Sequence, residues 1–223
     1  MRRQRRDRRR PRAPVASFWA GLFLLLLAMV LLRPPEETPP PAPTPHPRAA
    51  ALLSALPGDL EPSRRALVET ACTLVGRVDY FWGGKSTVLG WDSRWGTPAR
   101  VTAPGCGDTG QVMPFGLDCS GYLTWIAVNA LEDPEGAGCI GDGVRDQYSH
   151  CTPVAWAEAR PGDLVFFPDL SHVGLAAGRN GDGALAVLHC SRSLGGVVVT
   201  EDAAAAGFTL AGRPAVLLAA MER

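Results

Sequence analysis

The pattern of apolar and polar positions changes character several times along the chain. Val15 to Leu32 run as VASFWAGLFLLLLAMVLL without a single charge. As a helix this stretch reaches about 27 Å, close to the roughly 30 Å hydrocarbon core of a bilayer. Residues 34–47 then read PPEETPPPAPTPHP. So much proline cannot pack a core and predicts polyproline II, a semi-rigid spacer that would hold the rest of the chain about 40 Å from a membrane. His46 falls within this spacer and is expected to be inert. From Ser63 to Gly76 apolar residues return at helical spacing, with Leu67, Ala71, Leu74 and Val75 on one face and Gly76 able to end the helix. A stretch rich in Gly, Trp and Pro follows from Phe81 to Leu117. It is too long for an ordinary turn and is expected to be functional or locally structured. A second helix is predicted from Cys119 to Leu131, burying Leu123, Ile126, Ala127 and Ala130. The period then shortens. Asp163 to Phe167, His172 to Ala177, Ala184 to His189, Gly196 to Glu201 and Pro214 to Ala219 are short apolar runs, separated by turn residues such as Asn180-Gly181-Asp182-Gly183. They predict antiparallel strands joined by hairpins. Helices first and an antiparallel sheet afterwards make an α+β domain.

Charge adds a direction. The formal net charge of the 223 residues is zero, but eight of the 22 basic residues are arginines within the first twelve positions. The 14 that remain face 21 acidic residues once Asp7 is set aside, so the body of the chain is acidic and no nucleic-acid partner is expected. Arginines before the apolar run predict an N-terminus inside the cell and the remainder outside. A cleaved signal peptide is the alternative, but the apolar run is long for one and Arg33-Pro34-Pro35 stands where a small-residue cleavage site would be. The organisation read from the sequence is a basic tail over 1–14, a transmembrane helix over 15–32, a spacer over 33–50 and one folded domain over 51–223.

Cys119 stands where Gly116-Leu117-Asp118 gives way to the second helix. A helix N-terminus beside an imidazole lowers a thiol pKa, and its unpaired N–H groups can stabilise an oxyanion. His172 begins one predicted strand and His189 ends the next, with a hairpin between, so the two can meet at one end of the sheet. There His172 can serve as base to Cys119, and His189 can fix its tautomer. A structural cysteine and a strand-end histidine are the alternatives. His150 is read as a loop residue.

The ordered set Asp118-Cys119-Ser120-Gly121, Arg160-Pro161-Gly162-Asp163-Leu164-Val165-Phe166-Phe167 and Ser171-His172-Val173-Gly174 resembles the NlpC (p-sixty) peptidases, papain-like enzymes that cut peptidoglycan stem peptides. Tyr80-Phe81-Trp82-Gly83-Gly84 is similar to that family's Tyr-x-Trp-Gly-Gly segment. The resemblance covers roughly Ser63 to Arg223. It implies a papain-like α+β fold, with N-terminal helices packed on a C-terminal antiparallel sheet. It also implies a catalytic set of Cys119, His172 and His189, with Asp118 and Ser120 holding the free amine of a stem peptide and Tyr80 lining the site near the oxyanion and helping to close that subsite. The bond cut would be the one from γ-D-Glu to the diamino acid. The chain departs from the family by about thirty extra residues between Lys85 and Leu117, where Trp91 or Trp95 could fold over the substrate site. No cofactor and no metal is implied. Cys72 is read as a small buried side chain, while Cys106, Cys139, Cys151 and Cys190 could include a disulfide. An amidase or acyltransferase on the same scaffold, and a catalytically idle wall-binding protein, are the rival readings. The expected partners are stem peptides and, through one helix, a membrane; the oligomeric state is open.

Overall fold

The computed structural model describes residues 44–134 and 140–215. The basic tail, the apolar run over 15–32 and the spacer up to residue 43 lie outside the described residues. Among the described residues no helix is long and apolar enough to cross a membrane.

The compact unit begins at Thr44. Helix α1 (Pro47–Ser54) starts inside the range read as spacer, because Pro47 at its first turn has its φ preset for helix and His46 caps it, accepting from Arg48 N at 3.3 Å. The His46 ring also lies against Gly76, where an added Cβ would come within 3.0 Å of its Cδ2. This histidine therefore has a structural role that its proline-rich setting concealed.

Helix α2 (Pro62–Cys72) buries Leu67, Val68, Ala71 and Cys72. It stops short of the predicted Gly76, and the intervening turn is tied to the sheet by Gly76 N donating to Val197 O at 2.9 Å. Helix α3 (Cys119–Ala130) is buried along its whole length from Cys119 to Val128. A helix apolar on all sides must be covered on all sides. The sheet covers one flank. Helix α2 covers another, and the Tyr122 hydroxyl donates to Ala71 O at 2.8 Å there. The Phe81 to Leu117 stretch covers the third. Its Trp95 packs edge-on against Trp125 at 5.6 Å, and Gly90 and Val88 hydrogen-bond the Asn129 side chain. Trp91 meets Trp95 edge-on at 4.9 Å, beneath the guanidinium of Arg77. The extra residues thus clad the helix that begins at Cys119, and they form a small hairpin, β1 (Pro98–Arg100) with β2 (Val112–Pro114).

Short helix α4 (Val144–Ser149) leads into the main sheet. Its strands are β3 (Cys151–Val154), β4 (Leu164–Phe166), β5 (Val173–Arg179), β6 (Leu185–Ser191), β7 (Gly196–Thr200) and β8 (Leu210–Pro214), in the order β3-β8-β4-β5-β6-β7. Every neighbouring pair is antiparallel. One face, with Phe166, Leu175, Leu188, Cys190 and Val197, packs with α2 and α3. The other holds a smaller cluster of Val165, Ala176, Leu185, Val187, Phe208 and Ala211.

The last strand among the described residues is Leu210–Pro214, whose Leu210 and Ala211 complete the ladder beside Phe166 and Val165, and the strand expected over Pro214 to Ala219 lies, beyond Ala215, outside the described residues. Strand β3 escaped sequence reading, since its Pro153 argues against a strand. Proline is tolerated there because β3 is the edge of the sheet. Arg160-Pro161-Gly162-Asp163 is structural. Asp163, fully buried, accepts from Arg64 Nη1 at 2.9 Å, Arg213 Nε at 3.3 Å and Arg160 N at 2.9 Å, closing the approach to β4.

Candidate active site

Two glycine-bearing turns interlock to place Cys119. Asp118 N donates to Gly84 O at 3.0 Å, and Phe81 N donates to Leu117 O at 2.9 Å. A Cβ on Gly121 would lie 2.0 Å from Gly84 O, so the first turn of α3 can seat on this loop only with glycine there. Asp118 caps the helix. Its Oδ1 accepts from Gly121 N at 2.6 Å and from Ser120 Oγ at 2.8 Å. Oδ2 takes no hydrogen bond among the described residues.

The Cys119 thiol is buried, 5% exposed. Burial first, and then the Asp118 carboxylate, push its pKa up to about 12, while the amides of Val173, Ser120 and Cys119 itself pull the other way. The expected lowering is therefore overturned for the free protein: helix N-terminal amides act on the sulfur, but loss of water outweighs them. Burial also lowers His172 to about 4. Burial and, next, the neighbouring His172 lower His189 to about 3. Thiol and imidazoles are all neutral at physiological pH.

The sheet brings the two histidines together. His172 Nε2 lies 2.8 Å from His189 Nδ1, and His189 Nε2 lies 2.8 Å from Thr200 Oγ1. Fully buried Phe208 packs against both rings at 5.4 Å, and Phe167 packs on His172 at 5.1 Å. These aromatics supply the desolvation that depresses both pKa values. Val173, which follows His172, presents its amide to the Cys119 sulfur. Among the described residues no hydrogen bond joins the thiol to either ring. With Nε2 of His172 occupied by His189, Nδ1 is the nitrogen left for a proton from sulfur.

Tyr80 is buried nearby. Burial, then the Cys119 and Asp118 charges, raise its hydroxyl pKa well above the ordinary value, so it remains a donor. A cleft of about 610 Å³ opens on Cys119, Asp118 and Ser120, lined also by Trp82, Lys85 and Arg145. Lys85 Nζ pairs with the Asp142 carboxylate at this cleft. A second cleft, of about 600 Å³, is lined by His172, His189, Thr200 and Arg192. Ser171 lines the first and His172 the second, so the clefts adjoin where sulfur and imidazole lie. Arg192 is held by Asp108 of the Phe81 to Leu117 stretch, through two hydrogen bonds of 2.8 Å.

Sequence reading missed Thr200 and Gln147. Thr200 stands out only once β6 and β7 are paired. The Gln147 Nε2 donates to Ser120 O at 2.9 Å and so ties α4 to the turn that carries Cys119. His150 bonds its own helix, with Nδ1 2.9 Å from Asp146 O. Cys72, Cys106, Cys119, Cys151 and Cys190 are free thiols, and Cys139 lies outside the described residues. Cys190 points to the face opposite His189, with its sulfur 3.0 Å from Leu117 O. No cluster of three or more potential metal ligands occurs among the described residues.

The fold is thus an α+β domain in which a cysteine at the start of a buried helix lies beside the end of an antiparallel sheet that carries a histidine pair. Over 69 residues the chain is 36% identical to "Probable endopeptidase p60" of Listeria monocytogenes, a match covering 29% of this chain and 13% of that protein. The chain thus spans about an eighth of the length of that curated relative. Among solved structures it is similar to the peptidoglycan hydrolase RipB of Mycobacterium tuberculosis, at 22% identity over 90% of this chain and 86% of that one, with a TM-score of 0.46. It is also similar to RipD of the same organism, described as a non-catalytic NlpC/p60 domain protein adapted to peptidoglycan binding. That match has 21% identity over 68% and 96% of the two chains and a TM-score of 0.46. No family model matches the chain. The motif resemblance read from the sequence is in keeping with the p60 relative, which matches over 69 residues of this chain.

Proposed function

We propose that this protein is a cysteine endopeptidase of the cell wall, held outside the membrane by its N-terminal apolar helix, that hydrolyses peptidoglycan stem peptides. The observation that carries the reading is the placement of Cys119 on the first turn of α3, against the amide next to His172, with His172 bonded in turn to His189. Because both partners start neutral, the proton leaves sulfur as the sulfur–carbon bond forms. His172 Nδ1 takes it, the carbonyl oxygen gains the negative charge, and the Cys119 and Ser120 amides at the helix N-terminus stabilise that oxyanion. Collapse expels the peptide amine, which receives the proton from His172. Water, deprotonated by the same imidazole, then cleaves the thioester and returns the thiol.

The cleft on Cys119 contains the groups that suit a peptide with a free amine. Asp118 has an unengaged carboxylate oxygen, Ser120 is bonded to the same side chain, and Tyr80 is near enough to Cys119 and Asp118 to feel their charges. The substrate reading is therefore an L-Ala-γ-D-Glu-diamino-acid peptide, cut between γ-D-Glu and the diamino acid. An amidase or acyltransferase would use the same groups. A wall-binding protein, the character given for RipD, is the other reading. Digestion of purified wall, with the products identified by mass, separates these. The expected result is a new amine on the diamino acid with the wild-type protein and none with Cys119→Ala. Wall binding without any product would establish the binding protein instead.

A further inference from the structure

We propose that Thr200 is a positioning residue for the reaction, its hydroxyl fixing the direction of the hydrogen-bond chain through His189 to His172 and so leaving the lone pair of His172 Nδ1 free for the thiol proton. The inference rests on the reading of Cys119, His172 and His189 as the catalytic set. Strand pairing supplies the geometry. Val187 lies directly opposite Thr200 in the β6–β7 ladder, and His189 lies opposite Val198. Alternation then puts Val187, His189, Val198 and Thr200 on one face. From there the Thr200 hydroxyl reaches His189 Nε2 at 2.8 Å, while Nδ1 of the same ring is 2.8 Å from His172 Nε2. A β-branched residue with a restricted χ1 holds that oxygen in place better than a longer polar side chain would.

Two neutral imidazoles in series allow two proton arrangements. In one, His172 Nε2–H donates to His189 Nδ1, and His189 Nε2–H donates to Thr200 Oγ1. His172 Nδ1 is then a lone pair and can act as base. In the other, every bond is reversed, and His172 carries its proton on Nδ1, where it cannot accept from sulfur. A hydroxyl can end the chain in either sense, and the role assigned to Thr200 is that of acceptor, the sense that gives the first arrangement and leaves His172 Nδ1 free. An apolar side chain there would leave His189 Nε2–H without a partner in a site walled by Phe208, and the ring would favour the Nδ1–H form. The imidazolium formed at His172 during attack keeps its Nε2–H on His189, so no proton need leave the chain.

The test compares Thr200→Val, which preserves shape and strand preference, with Thr200→Ser, which restores the hydroxyl. Nitrogen-15 NMR of the ring nitrogens, at pH 7 and without substrate, reads the tautomers. With four histidines in the chain, assignment is tractable. Wild type and Thr200→Ser are expected to show Nε2–H at both His172 and His189, and Thr200→Val a shift of both toward Nδ1–H. Loss of the hydrogen bond that orients His189, and through it the general base His172, should lower kcat about tenfold in Thr200→Val with KM little changed, and Thr200→Ser should recover most of it. Unchanged tautomers in Thr200→Val, or loss that Thr200→Ser does not repair, overturns the proposal. Should Thr200→Val fail to fold, Thr200→Ala carries the same readout. The NMR arm needs no substrate, so a failure of the hydrolysis reading would show in the wall digest alone.

Discussion

Asp118 performs one task in the folded chain and is proposed to perform another on the substrate, and the two can be separated by a pair of substitutions. Its Oδ1 accepts from Gly121 N at 2.6 Å and from Ser120 Oγ at 2.8 Å, which caps α3. Its Oδ2 is left for an ammonium in the cleft. Asparagine caps a helix as well as aspartate does, and its Oδ1 can keep both bonds. Asp118→Asn should therefore leave stability within a few tenths of a kcal/mol, whereas Asp118→Ala should lose about 1 kcal/mol. On the substrate the ranking is different. The carboxylate is 8% exposed, so its pairing with a free amine is largely desolvated, and losing either partner should cost roughly 2–4 kcal/mol. That corresponds to about 30- to 1000-fold in kcat/KM. The assay is a four-way comparison of wild type and Asp118→Asn on a free tripeptide and its N-acetyl form. Wild type should discriminate against the blocked peptide by the full factor, and Asp118→Asn should scarcely discriminate. Equal wild-type rates on free and blocked peptides would refute amine recognition and leave Asp118 as a helix cap only.

Since burial lowers His172 to about 4, kcat/KM should stay level from pH 7 to about 5 and fall as His172 protonates, while alkylation of Cys119 in the free enzyme should still be rising above pH 9; a plateau of alkylation near pH 6 would reveal a resting thiolate instead. The same shift makes the unfolded chain bind protons that the folded chain refuses between pH 6.5 and about 4, so stability to urea should be full above 6.5 and decline toward 4. Asp163→Asn should destabilise the fold by about 3–5 kcal/mol, because Arg64 and Arg213 lose a buried counter-charge, and a melting temperature close to wild type would deny that role. Finally, protease added to intact, wall-stripped cells should release a soluble domain by cutting between Arg33 and Pro43, and a domain found protected inside the cell would overturn the proposed anchoring.

Local pattern carried much of this architecture. Leu67, Ala71 and Leu74 announced α2 by helical spacing, and the short apolar runs from Asp163 onward announced five strands of which four lie close to their predicted positions. Misses fall where a partner distant in sequence decides. Pro153 reads as a strand breaker until β8 is found pairing only one of its edges. Leu210 to Pro214 carry too little alternation to be seen as a strand, and they become one because β3 and β4 leave a gap of that width between them. His46 reads as spacer, yet it caps α1 because Gly76 offers its ring a place to rest.

The order of the motifs and the residues on which the proposed chemistry rests are written in the chain, since the identities of Cys119, His172 and His189 and their positions at element ends are local facts. Glycine at 84 and 121 is equally plain there, though the reason for it is not. The protonation states, the direction of the histidine chain and the place of Thr200 in it arise from folding. They depend on how much water Phe208, Phe167 and the sheet exclude, and on which strand lies beside which. Desolvation and register are properties of non-local packing, so no spacing along the chain encodes them directly.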